Sequence, residues 1–209
     1  MASRPVLVLA SASPARRALL TAAGIDPEIV VSGVDESAVE ATAPDTLCAT
    51  LARLKAHAVA ERLRQRAPIA DGRAVLVLGC DSVLAFDGQI LGKPDGPAEA
   101  VKRWQAMRGR TGVLHTGHCL VELASARTAE RVGSTTVHFA EITDEEVDAY
   151  VGTGEPLNVA GAFTIDGIGG PFVEGLEGDH GNVVGLSLPV LRHLMRELDY
   201  AITDLWRPR

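Results

Sequence analysis

Aromatic side chains are scarce: two Trp, two Tyr and four Phe make up 4% of the 209 residues. A core so poor in rings must be filled by Ala, Val, Leu and Ile, which suits buried strands and helices. Cys48, Cys80 and Cys119 are odd in number, widely spaced and form no CxxC pair. That excludes a disulfide framework and leaves three reduced thiols of small apolar character. Positive charge is in deficit, with 20 Lys and Arg against 27 Asp and Glu, a net charge of −7. Neither a nucleic-acid polymer nor an anionic membrane would gain from meeting such a chain, although a local basic cluster could still hold a small anion. No apolar run approaches the roughly 18 residues of a membrane span, and the N-terminus lacks the regions of a signal peptide, so the cytoplasm is the expected location. Three motifs are missing too: the Walker G-x-x-x-x-G-K-[ST], a G-x-G-x-x-G after a strand, and the G-x-S-x-G elbow of serine hydrolases.

What is present reads as alternating strands and helices. Val6–Ala10 is an all-apolar run, the pattern of a strand buried on both faces. Pro14 suits the first turn of a helix and Gly24 its far cap. Glu28–Ser32 reads as a strand, followed by the acidic pair Asp35-Glu36. Over residues 44–66 the apolar positions Leu47, Leu51, Leu54, Ala58 and Leu63 recur at helical spacing, before the loop "RAPIADGR". "AVLVLGCDS" reads as a buried strand ending at Asp81, and Asp87-Gly88 as the turn of a following hairpin. A helix over 97–107, two long antiparallel strands joined near 124–130, a capping-box helix from Thr143 to about Val151, a glycine-rich stretch of loop and short strand over 161–185, and a helix over 189–198 complete the pattern. The expected fold is a single α/β domain over 1–209, with a mixed central sheet, flanking helices and a central cleft between two lobes.

The turn "ASASPARR" offers serines, unpaired backbone N–H groups and two arginines at a helix start, the parts of an anion site. The same residues would serve a plainer purpose if Ser13 only capped the helix and Arg16 and Arg17 lay on its solvated face. Asp81, directly after an apolar strand, could bind Mg²⁺ or take a proton from water; it could equally be a turn residue. Lys93 sits between Gly92 and Pro94 in a fixed turn. Lys55 interrupts an apolar helical stretch, as if its ammonium emerged into a cleft, though snorkelling would also account for it. His115 and His118 have an H-x-x-H spacing, which on a strand points the rings to opposite faces. Glu174, Glu177 and Asp179 read as a solvated acidic loop.

Four blocks in order, "LASASPARRALL" (9–20), "GCDSV…ILGKP" (79–94), "MRGRTGVLHTGHCL" (107–120) and "EPLNVAGAFTIDGIGGPFVEGLEGDHGNVVGLSLPVL" (155–191), make the sequence resemble the Maf family of nucleoside triphosphate pyrophosphatases over nearly its whole length. The resemblance implies a fold similar to that of inosine triphosphate pyrophosphatases, usually dimeric. It also implies hydrolysis of a nucleoside triphosphate to a monophosphate and pyrophosphate. Ser11 and Arg16 would hold the triphosphate, with Lys55 and Lys93 as further phosphate contacts and part of the catalytic set. Asp81 would accept the proton of water, and Glu36 with Asp81 would bind a divalent cation, Mg²⁺ or Mn²⁺. The specificity positions carry Ala15, Ser82 and Asp166, which match neither the dTTP/UTP-preferring nor the 7-methyl-GTP-preferring pattern and leave the base open. The family is also associated with arrest of septum formation, so a nucleotide-binding regulatory module of cell division is the alternative expectation.

Overall fold

The structure is a computed structural model describing residues 4–39, 43–65 and 72–207. Its strands are β1 (Val6–Leu9), β2 (Glu28–Ile29), β3 (Val75–Phe86), β4 (Gln89–Leu91), β5 (Thr111–Glu122), β6 (Thr128–Phe139) and β7 (Val173–Glu177). Its helices are α1 (Pro14–Ala22), α2 (Pro44–Arg64), α3 (Pro97–Met107), α4 (Asp144–Gly152), α5 (His180–Val184) and α6 (Leu188–Glu197). The expected mixed α/β sheet is present, in the order β2-β1-β3-β5-β6-β7 with β4 on β3. β1 runs parallel to β2 and β3, whereas β4 pairs antiparallel with β3 and β7 with β6. By its contacts the chain divides into two compact units.

The first unit comprises Met1–Asp81, Thr116–Gly133 and Gly185–Arg209. Its strand residues alternate between two apolar layers, as the period of two requires. Leu7, Leu9, Leu76 and Leu78 face one way and pack with Leu20 of α1 and Leu191, Leu194 and Met195 of α6. Val6, Val8, Val75 and Val77 face the other way and meet Ala52, Ala56, Val59 and Ala60 of α2. Burial on both faces explains why the runs are apolar at every position. Ser13 caps α1 by accepting from the Arg16 N–H at 3.3 Å, Pro14 occupies the first turn, and Gly24, at φ +78°, turns the chain away.

The spacing of leucines in α2 misjudges its buried face. Cys48, Leu51, Ala52, Lys55, Ala56, Val59 and Ala60 point inward, and Leu54 is 40% exposed. The reason lies in two glycines under the helix. A Cβ on Gly79 of β3 would stand 2.2 Å from the Ala52 carbonyl oxygen, and one on Gly117 of β5 would stand 2.3 Å from that of Cys48. The helix backbone sits directly on the sheet, so only small side chains fit between. Residues 66–71 of the loop expected after this helix lie outside the described residues.

The second unit comprises Ser82–His115 and Ser134–Val184. Six of the chain's eight aromatic residues fall within it. Trp104 of α3 is fully buried, with Phe139, Tyr150 and Phe172 edge-on at 5.6–5.8 Å and its indole N–H donated to the Ala162 carbonyl at 2.7 Å. Asp87 and Gly88, both at positive φ, form the expected hairpin turn. Thr143 and Glu146 form the expected capping box of α4. The glycine-rich stretch holds the short helix α5 as well as β7.

Glu155 organises the loop after α4. Its carboxylate accepts from the Thr164 hydroxyl and from the Ile168 and Gly169 N–H groups at 2.5–3.0 Å, and from Tyr150 at 3.1 Å. Burial opposes its charge, but these donors outweigh it and hold the carboxyl below its ordinary value of 4.5. The unfolded chain therefore takes up the proton first, so this stabilisation is full above that value and disappears as pH falls through the folded one. Glu155→Gln is expected to cost about 1–3 kcal/mol at neutral pH. Urea unfolding at a series of pH values should show the gap to wild type closing below pH 4.5.

Candidate active site

Two clusters of polar side chains gather in the first unit, where β1 ends. Pairing of β1 with β3 runs from Val6 with Val75 to Leu9 with Leu78, and the Ala10 N–H still reaches the Leu78 carbonyl at 2.8 Å. Asp81 does not end its strand, contrary to the sequence expectation, because β3 continues to Phe86 and pairs with β4. It instead stands just past the point where β1 leaves β3. An open position of that kind at the carboxyl end of a parallel pair is where α/β sheets gather ligands.

The first cluster is built on the turn between β1 and α1. The Ser11 hydroxyl, in a residue 8% exposed, accepts from the Ser13 N–H at 3.2 Å and from Arg16 Nη1 at 3.1 Å. Arg16 Nη1 also donates to the Cys80 carbonyl at 2.9 Å, and its Nε donates to the Gly185 carbonyl at 2.7 Å. The guanidinium is thus fixed by three acceptors and does not lie along a solvated helix face. Ser13 does act as the helix cap, as the plainer reading expects, but Arg16 departs from that reading because its guanidinium is turned onto these acceptors. Arg17 is exposed, while Ala15 and Arg16 are half-buried.

Lys55 joins the second cluster. Its residue is 7% exposed, and Nζ lies 2.5 Å from Asp81 Oδ1 and 2.7 Å from Glu36 Oε1. It reaches them because α2 rests on Gly79 and Gly117, so a lysine stem passes among alanines to the sheet. Glu36 opens a 3₁₀ turn whose start is fixed by Asp35, which accepts from the Ser37 N–H and hydroxyl. Asp81 is 7% exposed, and burial pushes its carboxyl above the ordinary value despite opposition from Lys55 and Arg16; Glu36 pushes the same way as burial. That combination, a desolvated carboxylate held between cations, is common at reactive centres.

Lys93, Ser82 and Asp166 belong to the second unit. Lys93 is exposed, and the preceding Gly92 carbonyl is held by Arg103 Nη1 at 2.6 Å and the Gly161 N–H at 3.0 Å. Asp166 is exposed on the loop that Glu155 organises, and Ser82 is half-buried. Of the other candidates, His118 is buried and its Nε2 accepts from the Ser187 N–H at 2.9 Å. His115 Nδ1 meets the Ser134 hydroxyl. Glu177 pairs with His138, and Asp179 accepts from the Gly181 N–H. Burial pushes all three thiols up, Cys80 to about 11 and Cys48 to about 12.

Sequence reasoning passes over two acceptors that fix Arg16, the carbonyls of Cys80 and Gly185. Backbone groups leave no side-chain signal. Gly185 does have a reason to be glycine: its φ is +116°, and a Cβ there would stand 3.1 Å from Arg16 Nε.

The family model described as Maf-like protein matches residues 6–198, through both clusters. The chain belongs to the Maf family. Among its Maf relatives is a protein of Salinispora tropica called nucleoside triphosphate pyrophosphatase, 65% identical over 96% of this chain and 87% of its own length. Proteins of the same name from Streptomyces avermitilis and Nostoc punctiforme are 56% and 49% identical, each over 97% of this chain and 95% and 98% of their own lengths.

Proposed function

We propose that this Maf-family chain hydrolyses nucleoside triphosphates to a nucleoside monophosphate and pyrophosphate, by attack of water at the α-phosphorus. One observation carries the reading: a buried lysine–aspartate pair beside an arginine fixed by three acceptors at a strand-to-helix turn. The name shared by relatives 49–65% identical supports it.

In this reading Ser11, Arg16 and the first N–H groups of α1 hold phosphate oxygens, with the helix dipole favouring the negative charge. Two arginines at a positive helix end are then matched by a ligand more negative than they are positive. Asp81 takes the proton of the attacking water at Oδ2 while Lys55 holds Oδ1. Its raised carboxyl pKa makes it a stronger base than a solvated aspartate. As the bond to the bridging oxygen breaks, charge builds on the pyrophosphate and is offset by Arg16 and Lys55. Lys93 as a phosphate contact, and Ser82 and Asp166 as specificity positions beside Ala15, rest on the family resemblance.

Glu36 and Asp81 suit a divalent cation of the magnesium class. Their carboxylates already converge on one ammonium, which shows that positive charge is accommodated between them, and oxygen donors are what a hard cation requires. A bound ion would supply Lewis-acid polarisation and charge neutralisation at the phosphoryl group.

The test is a panel of nucleoside triphosphates, methylated bases included, with Mg²⁺ or Mn²⁺. At least one is expected to yield pyrophosphate and the monophosphate. Orthophosphate as the product would contradict the mechanism. If wild type and Asp81→Asn both bind nucleotide and are equally inactive across the panel, the alternative of a regulatory nucleotide-binding module replaces it.

A further inference from the structure

His57, Cys119 and Glu130 take no part in the chemistry above, yet they converge in the first unit. Cys119 lies on β5, Glu130 on the neighbouring β6, and His57 on α2. Their ligand atoms all lie within 4.8 Å of one another. The Cys119 thiol already points at Glu130 Oε1, at 3.7 Å. The other oxygen, Oε2, is held by Arg53 at 3.4 Å. Arg53 precedes His57 by one helical turn, so both project from the same side of α2.

We infer that these three side chains form a site for one thiophilic divalent cation of the zinc class. Tetrahedral zinc at ordinary bond lengths sets sulfur, nitrogen and oxygen ligands about 3.3–3.6 Å apart. The thiol–carboxylate separation, 3.7 Å, is already close to that, and because all the ligand atoms lie within 4.8 Å of one another the imidazole needs to move by at most roughly 1.5 Å. The donor set matches the charge as well: thiolate and carboxylate together offset a dication, and the imidazole binds neutral. Sulfur and nitrogen ligands disfavour hard cations, so this site would not compete for the magnesium or manganese proposed at Glu36 and Asp81. Binding replaces the S–H bond of Cys119 by a sulfur–metal bond and releases one proton to solvent. Arg53 orients Glu130 from behind, the usual arrangement for a metal-ligating carboxylate. Glu130 is exposed and gives the ion a way in, and three protein ligands leave the fourth position to water. An ion here would tie α2, the helix that carries Lys55, to β5 and β6.

Cobalt titration of chelator-washed protein tests this, because a thiolate–cobalt bond gives a charge-transfer band that oxygen and nitrogen ligands do not. Wild type is expected to bind one Co²⁺ with that band. It should bind Zn²⁺ with a melting temperature raised by roughly 5–10 °C at a hundredfold excess over Kd. Cys119→Ser should lose the band. His57→Gln should keep the fold and weaken Zn²⁺ binding at least about tenfold, which keeps the test open should the buried cysteine variant not fold. Cys48→Ala, a buried thiol outside the trio, should behave as wild type. Absence of the band in wild type, its loss in Cys48→Ala, or equal Zn²⁺ affinity in wild type and His57→Gln would overturn the assignment. The nucleotide panel does not depend on any of these outcomes.

Discussion

Asp81→Asn is expected to lower kcat by about 10²–10⁴-fold with little change in KM, the loss that follows when a positioned general base is removed. The substitution keeps the shape of the side chain, and its amide oxygen can still accept from Lys55, which also retains Glu36. The charge removed is one that burial opposes, so the fold has little to lose. A melting temperature within a few degrees of wild type, together with the kinetic loss, separates a chemical role from a structural one. A variant that keeps wild-type kcat would mean that the proton of water goes elsewhere. A variant that fails to bind nucleotide would place Asp81 in binding rather than in chemistry.

The largest expected effect on stability comes from a residue with no side chain. Gly117→Ala would place a Cβ 2.3 Å from the Cys48 carbonyl oxygen and 2.7 Å from the Ala49 nitrogen. These are backbone atoms of α2, which cannot swing aside as the tip of a flexible side chain would. Overpacking of this kind is expected to cost about 3 kcal/mol, measured by urea unfolding. The same holds at Gly79, where the clash is with Ala52 and Ala56. Activity should fall in whatever fraction stays folded, because lifting α2 draws Lys55 away from Asp81. The matched control is Gly88→Asn at the exposed hairpin turn, where φ is +74° and a Cβ meets nothing within 4 Å; its effect should be below about 1 kcal/mol. Equal effects at both positions would dismiss close helix–sheet approach as the cause.

The elements of the fold are legible where local chemistry decides them. Pro14, Gly24, Thr143 with Glu146, and Asp87-Gly88 each mark a boundary through their own backbone preference, and each does so in the structure. The buried face of α2 is not legible from its leucines, because the sheet beneath determines it. Gly79 within an apolar strand is a sign of close backbone approach, and combined with the alanines of α2 it identifies the true face. The position of Asp81 shows the same limit. Its apolar neighbours mark the strand but not its end, which lies at Phe86, and the departure of β1 that opens the site depends on a partner far away in sequence.

Within the candidate site, Ser11, Arg16, Lys55 and Asp81 are recognisable as residues out of keeping with their surroundings: polar groups at the end of an apolar run, a lysine amid alanines. What fixes Arg16 is mostly backbone, the carbonyls of Cys80 and Gly185, and carries no side-chain signature. The link from Glu36 through Lys55 to Asp81 joins three segments that only the folded chain brings together. His57, Cys119 and Glu130 meet for the same reason, since each is unremarkable in its own stretch.

Hydrolysis in water labelled with heavy oxygen tests the central claim most directly, with products separated by phosphorus NMR or mass spectrometry. Attack at the α-phosphorus puts the label in the nucleoside monophosphate and leaves pyrophosphate unlabelled. Label in pyrophosphate or orthophosphate would contradict the account, because the water held by Asp81 would then be reacting at a different phosphorus.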